Sequence, residues 1–184
     1  MTAATHFHFL MRDMAHEVDS GRLSDIEAAG KVAEYIQKSL QCMHVTFWSV
    51  SGDVGRRVMR SIVAYDGTRG RAVAGAAVFP ESDGSYFNAL LRSGCYVCED
   101  TFADPNLQGV KDTMLVPYAI HALLAASYGG DGDSWGIITC TSNVARKWQS
   151  SEVTALRKCA AEISTLRARR RSLGIALSPG GFLG

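Results

Sequence analysis

No apolar run in the sequence approaches the roughly eighteen residues of a membrane span. The opening residues, MTAATHFHFLMRDMAH, lack the positive region and apolar stretch of a signal peptide, so a cytoplasmic address is expected. Charge of one sign is also missing. A formal net charge of +1 gives no general pull toward nucleic acid or a membrane surface, and any partner must be recognised locally. The five cysteines, at 42, 95, 98, 140 and 159, are odd in number and scattered among apolar segments, which excludes an ordinary disulfide framework and points to reduced, mostly buried thiols. Cys95 and Cys98 form a C-x-x-C. It sits in the β-prone run CYVCE, where residues three apart point to opposite faces, and no second Cys or His pair stands at zinc spacing. G-x-S-x-G, the P-loop and H-E-x-x-H are absent as well.

What remains is a chain of 184 residues, 47% apolar and 20% charged, enough for one globular domain with a real core. Helices are expected at its two ends. Residues 5 to 18 place Phe7, Leu10, Met14 and Val18 at helical spacing. Ser24 with Glu27 makes a capping box, followed by Ile26, Ala29, Ala33, Ile36 and Leu40 along one seam. Near the other end Val153, Leu156, Ala160 and Ile163 make a matching seam, with Ser150 as the expected N-cap and Glu152 in the first turn. The two seams can pack on each other or on their copies in a homodimer. Ile36, Leu40, Leu156 and Ile163 are accordingly the candidate dimer and signalling positions.

Between the helices the period changes from 3.6 to 2. HVTFWSV and RVMRSIVAY read as a hairpin across SGDVGR, AVAGAAVF as a weak strand, and SYFNALLRSG as a short helix with Tyr86, Phe87, Leu90 and Leu91 inward and Gly94 past its end. CYVCE, YAIHALLAASY and SWGIITCTS are further strands, the last two joined by the turn GGDGD. The class is α+β, one sheet covered by helices. In VCEDTFADPNLQGVKDTML, Asp104 precedes Pro105 and reads as the N-cap of a helix carrying Leu107, Val110 and Met114. Asp100 lies in the loop before it, placed either to tie down loop amides or to face a ligand.

From about Tyr86 to Glu152 the order of residues resembles the GAF domain. The resemblance runs through Tyr86-Phe87-x-Ala89-Leu90, Asp100, Asp104-Pro105, Leu115-x-Pro117, Ile120, Leu123-Leu124, Gly136-Ile137-Ile138-x-Cys140, Arg146-x-Trp148 and Glu152. It looks most like the GAF domains that accompany bacterial diguanylate cyclases and sensor histidine kinases. The resemblance implies a central antiparallel sheet of about six strands, with terminal helices on one face and ligand-pocket helices and loops on the other. The pocket would lie under residues 84 to 94 and 100 to 116, with Trp48, Tyr86, Cys98, Asp100, Phe102, Met114 and Tyr118 as ligand-binding candidates. The implied limits are residues 1–21 for an N-terminal helix, 22–172 for the GAF domain and 173–184 for a flexible tail.

Specialised GAF activities find little here. Bilin attachment commonly uses a cysteine beside a histidine, and no Cys-His dipeptide occurs; a haem would have only His121 as an interior axial candidate; the N-K-F-D-E constellation of cyclic-nucleotide domains is absent. Free methionine sulfoxide reductases are the best catalytic alternative, with Cys95 and Cys98 in the right area but the longer cysteine pattern missing. Arg167, Arg169, Arg170 and Arg171 close the last helix, where cations suit its dipole and a nucleic-acid or acidic-partner contact is the sharper reading. The expectation is a non-catalytic sensory protein, stand-alone or a sensor region of something longer, that binds an unidentified small molecule and signals to a partner through its terminal helices and dimer interface. A ligand-free interaction scaffold is the remaining alternative.

Overall fold

In the computed structural model, which describes residues 3–129, 135–175 and 181–183, the elements follow the change of hydrophobic period along the chain. Helix α1 (Ala3–Asp19) leads to α2 (Asp25–Leu40), whose capping box is formed as expected. The Ser24 hydroxyl accepts the Glu27 N–H at 3.2 Å, and the Glu27 carboxylate accepts the Ser24 N–H at 2.8 Å. Strands β1 (His44–Ser51) and β2 (Val58–Asp66) make the hairpin.

The AVAGAAVF segment gives two short strands, β3 (Arg71–Ala74) and β4 (Val78–Pro80), both paired with β2. They are separate because Gly75 lies hard against β2, where a Cβ would stand 2.0 Å from the Ser61 carbonyl oxygen. Helix α3 (Ser85–Ser93) buries Tyr86, Phe87 and Leu90 and stops at Gly94, whose φ of 69° suits glycine. Leu91, expected inward, is exposed, because three inward positions already fill the width of so short a helix.

Strands β5 (Cys95–Cys98), β6 (Ala122–Tyr128) and β7 (Trp135–Ser142) and helix α4 (Ser150–Ser172) complete the chain. The strand expected from Tyr118 begins only at Ala122. Beyond Gly129, the turn expected between the last two strands falls outside the described residues. Gln149 rather than Ser150 caps α4, and the Glu152 carboxylate accepts the Gln149 N–H at 2.7 Å.

The sheet runs β3-β2-β1-β7-β6-β5, antiparallel throughout, with β4 beside β2 as a seventh strand. Alternation along its strands serves two cores. Val45, Phe47, Val63, Leu124 and Ile138 face α1, α2 and α4. Trp48, Val50, Met59, Leu123 and Ile137 face α3 and the irregular segment between β5 and β6.

Two expectations change. Ile36, Leu40, Leu156 and Ile163 all belong to the helix-side core of the chain itself, each at most 4% exposed. Their seams turn to the sheet, and burying each contributes about 1.5–3 kcal/mol. Charged residues there would unfold the chain rather than split a dimer.

The segment expected as a flexible tail is the second. Phe182 and Leu183 are fully buried, the Phe182 ring meets Phe47 at 4.7 Å, and both their N–H groups donate to the Asp25 carboxylate, Leu183 at 2.9 Å. Arg167 donates to the Gly181 carbonyl at 3.3 Å and Arg170 to Asp19 at 2.6 Å, so these two buried cations of the arginine cluster are engaged within the chain.

Phe182→Ala is expected to cost about 3 kcal/mol or more in chemical denaturation, as for other deletions of buried aromatics. A tail lying free of the core would give a change within about 0.5 kcal/mol.

Candidate functional site

Outward alternation in β1 sends His44, Thr46 and Trp48 to one side of the sheet, and the β1–β7 register sets Thr141 and Thr139 beside His44 and Thr46. Together with Met59 and Ser61 of β2 they floor a cavity of about 340 Å³. Its roof is the strip between β3 and β4, residues 73–77, with Phe79, Met114 and Tyr118. The volume is at the small end of ligand cavities.

The walls are aromatic and mostly rigid. Trp48 donates its indole N–H to Thr139 Oγ1 at 2.8 Å and packs on Phe79 at 5.6 Å, which in turn meets Tyr118 edge-on at 5.9 Å. The Tyr86 ring lies 5.2 Å from Tyr96, and its buried hydroxyl has no hydrogen-bond partner among the described residues. Thr46 and Thr141 are nine-tenths buried, and their hydroxyls likewise have no partner among the described residues. At one end stands Asp66, 3.6 Å from the His44 ring. Burial would raise its carboxyl, but the Arg69 and Thr68 amides, at 3.1 and 2.9 Å, and the nearby His44 and Arg69 together hold it below the ordinary range.

Trp48, Tyr86, Met114 and Tyr118 of the sequence candidates therefore line one cavity; Cys98, Asp100 and Phe102 do not. The main reason is the sheet order: β5, which ends at Cys98 and leads into Asp100 and Phe102, is the edge strand two places beyond β7, away from the cavity floor on β2, β1 and β7. Residues 105–115 also take an irregular course. They do not run as one α-helix over the sheet but as a 3₁₀ turn, Pro105–Val110, then a π turn, Lys111–Leu115, so only the end of the segment reaches the cavity. Asp100 accepts the Phe102 N–H at 3.1 Å and holds the loop. Phe102 packs on His121 at 4.8 Å, and neither lines the cavity. Asp104 is the N-cap expected of it, accepting the Asn106 N–H at 2.9 Å and the Tyr96 hydroxyl at 2.7 Å.

Cys98 and Cys95 fall in opposite cores, as β alternation requires. Burial, with the Asp104 carboxylate adding to it, pushes the Cys98 thiol up to about 12. No cysteine lines the cavity, and the described residues contain no cluster of His, Cys, Asp and Glu able to hold a metal ion.

Sequence reasoning missed the hydroxyl floor and the small-residue roof. The first was accessible, since once Trp48 is assigned to the pocket, period-2 spacing brings Thr46 and His44 with it. The second depends on Gly75 and the split of β3 from β4.

The roof is anchored by a buried ion pair. Arg57 lies at the end of the hairpin loop and Glu81 just after β4, 2.7 Å apart, with side chains at most 3% exposed. One Glu81 oxygen accepts the Gly55 and Arg57 N–H groups at 2.9 and 3.0 Å and the Arg57 Nε–H at 3.0 Å, while Arg57 Nη2 reaches Asn88 of α3 at 3.0 Å. Burial would raise the Glu81 carboxyl. The bonds and charge from Arg57 and the Gly55 amide outweigh it and hold the group below its ordinary value.

A larger groove, about 670 Å³, opens on the helix side between α2 and α4, edged by Tyr35, Ser39, Thr154 and Lys158. It lacks the aromatic enclosure of the sheet-side cavity.

The sequence profile of the GAF domain matches residues 26–166. No curated protein sequence matches the chain. Among solved structures, the phycocyanobilin-bound GAF domain of a cyanobacterial phytochrome is similar over 91% of this chain and 96% of its own, at 11% identity and a TM-score of 0.69. The red light-absorbing state of a red/green cyanobacteriochrome matches 82% of this chain and 98% of its own, at 16% identity and 0.60. Free methionine-R-sulfoxide reductase from Neisseria meningitidis, in complex with its substrate, matches 94% and 95%, at 14% identity and 0.56. At these identities the likeness is one of fold.

Removing one partner of the Arg57–Glu81 pair strands a buried charge, so Arg57→Ala is expected to cost about 3–5 kcal/mol by denaturant titration. Because the Glu81 pKa is lowered on folding, its stabilising effect is complete above its ordinary 4.5 and is lost as pH falls through the lowered value. Wild type should therefore lose stability more steeply than Glu81→Gln on acidification below that point. Parallel curves for the two would remove Glu81 from the acid response.

Proposed function

The chain belongs to the GAF domain family, and on that premise we propose that it is a non-catalytic sensory or regulatory domain that binds a small molecule in the sheet-side cavity. The observation that carries this reading is the enclosure itself. Four aromatic rings and two unengaged hydroxyls surround a space of about 340 Å³ on the face opposite the terminal helices. The Tyr86 hydroxyl is buried there without a partner among the described residues, which costs about 1–3 kcal/mol in a finished core and is acceptable where a ligand or water satisfies it.

The same roof offers a route to the helices. β3 borders the cavity through Val73 and Ala74 and touches α2 through Ala72, whose Cβ lies 3.0 Å from where a Cβ on Gly30 would stand. A ligand that fits one position of β3 better than another therefore biases where α2 rests, which is the differential affinity that signalling requires. A homodimer or a signalling partner would read that shift on the helix-side groove, whose floor is the chain's own core but whose rim includes the exposed Thr154. Thr154→Arg, on the exposed rim, is the substitution expected to convert a dimer to a monomer in light scattering without unfolding the chain.

Thiolate chemistry of the sulfoxide-reductase kind is disfavoured by the absence of cysteine from the cavity and by the upward shift of Cys98. Covalent attachment of a chromophore lacks a cavity thiol for the same reason.

Native mass spectrometry of the protein from its own host, followed by denaturation, is expected to release one small molecule per chain. Protein that arrives empty, and that no compound stabilises in a thermal-shift screen of nucleotides, fatty acids and amino acids, would favour the ligand-free scaffold instead.

A further inference from the structure

We infer that the cavity takes an uncharged aromatic molecule with a hydrogen-bonding edge, an inference that rests on the sensory reading above and narrows it to a ligand class. The charge argument comes from what surrounds the space. Neither lysine nor arginine is among the described residues that line it, and the acidic group it holds is Asp66. A phosphate or carboxylate entering here would lose its water and find no lysine or arginine, and the His44 ring that lines the space already faces the Asp66 carboxylate at 3.6 Å.

The first turn of α3, which reaches the cavity through Tyr86, does not offer an alternative anion site. The Asp83 carboxylate already accepts the Ser85 N–H there at 2.9 Å, and Glu81 lies close by, with a carboxylate oxygen 2.8 Å from where a Cβ on Gly84 would stand. A cation fares no better. The Asp66 carboxylate is occupied by the Thr68 and Arg69 amides and stands next to the Arg69 side chain, 3.6 Å away, so it has little left to compensate a second positive charge.

Shape and polarity then define what does fit. Trp48, Phe79, Tyr86 and Tyr118 offer ring faces and edges, which favour an aromatic body over a flexible chain. Thr46 and Thr141 lie on adjoining strands and each hydroxyl can donate or accept. A neutral ring system with one N–H, O–H or carbonyl satisfies both requirements. Cyclic nucleotides, with their obligatory phosphate, are excluded by the same chemistry.

The test uses three probes that share one ring and differ in charge: indole, indole-3-carboxylate and tryptamine. Met59 and Met114 line the cavity, so methionine-methyl NMR of the labelled full chain reports binding at that place. Indole is expected to move both methyl signals and to bind at least tenfold more tightly than either charged relative. Thr141→Lys, accepted as folded if the remaining methyl signals keep their positions, should reverse the order by favouring indole-3-carboxylate. Equal affinities, or a preference for a charged probe in the wild type, would overturn the charge inference and leave the sensory reading standing. Indole moving neither methyl would overturn the aromatic class. A phosphate- or carboxylate-bearing molecule released from the host-purified protein would do so too, while confirming a ligand.

Discussion

β1 sits in the middle of the sheet and belongs to both cores, and the rest of the structure depends on that double duty. Phe47 points into the helix-side core, against Tyr128 and Phe182, while its neighbour Trp48 points into the other, against Phe79. The alternation is a property of extended backbone, and a slip of one residue would exchange the two sets. It is fixed by hydrogen bonding on both sides, to β2 and β7, with one irregularity between Phe47 and Trp48. Everything that borders the cavity from below is placed by this register. So is the packing of α2 and α4 from the other side.

Much of this was legible in the sequence, because it is local. The capping box of α2, the Asp104 cap, the glycine stop of α3 and the β1–β2 hairpin each rest on residues within a few positions of one another. The features that were not legible are those fixed by partners far away in the chain. Asp25 holds the backbone of Phe182 and Leu183, more than 150 residues away, and no local pattern marks that segment as core. The helical seams carry the period of a coiled coil, but period alone does not say whether a sheet or another helix receives them. Of the candidate site, Trp48, Tyr86, Met114 and Tyr118 were found from their character. Cys98, Asp100 and Phe102 do not line it, because β5 is the edge strand of the sheet and its place two strands beyond β7 is set by long-range pairing that no local pattern states.

The cavity and the helices are separated by one layer of backbone. β3 touches both, through Val73 on the cavity side and Ala72 on the other, and the residues around it are small: Gly30, Gly75, Ala76 and Ala77. Small side chains permit the close approach seen at Gly75 and between Ala72 and Gly30, so that a shift of β3 is passed directly to α2. The Arg57–Glu81 pair limits the motion at the far end of the roof by tying it to the hairpin loop and to Asn88.

The claim that joins these parts is that filling the cavity is felt in α2. Hydrogen–deuterium exchange, comparing protein purified with its bound small molecule and the same protein after the molecule is removed, tests it most directly. The account predicts slower exchange with ligand in two places at once, the roof from residue 72 to 79 and the middle of α2 around Gly30. Protection confined to the roof, or absent from both, would contradict it.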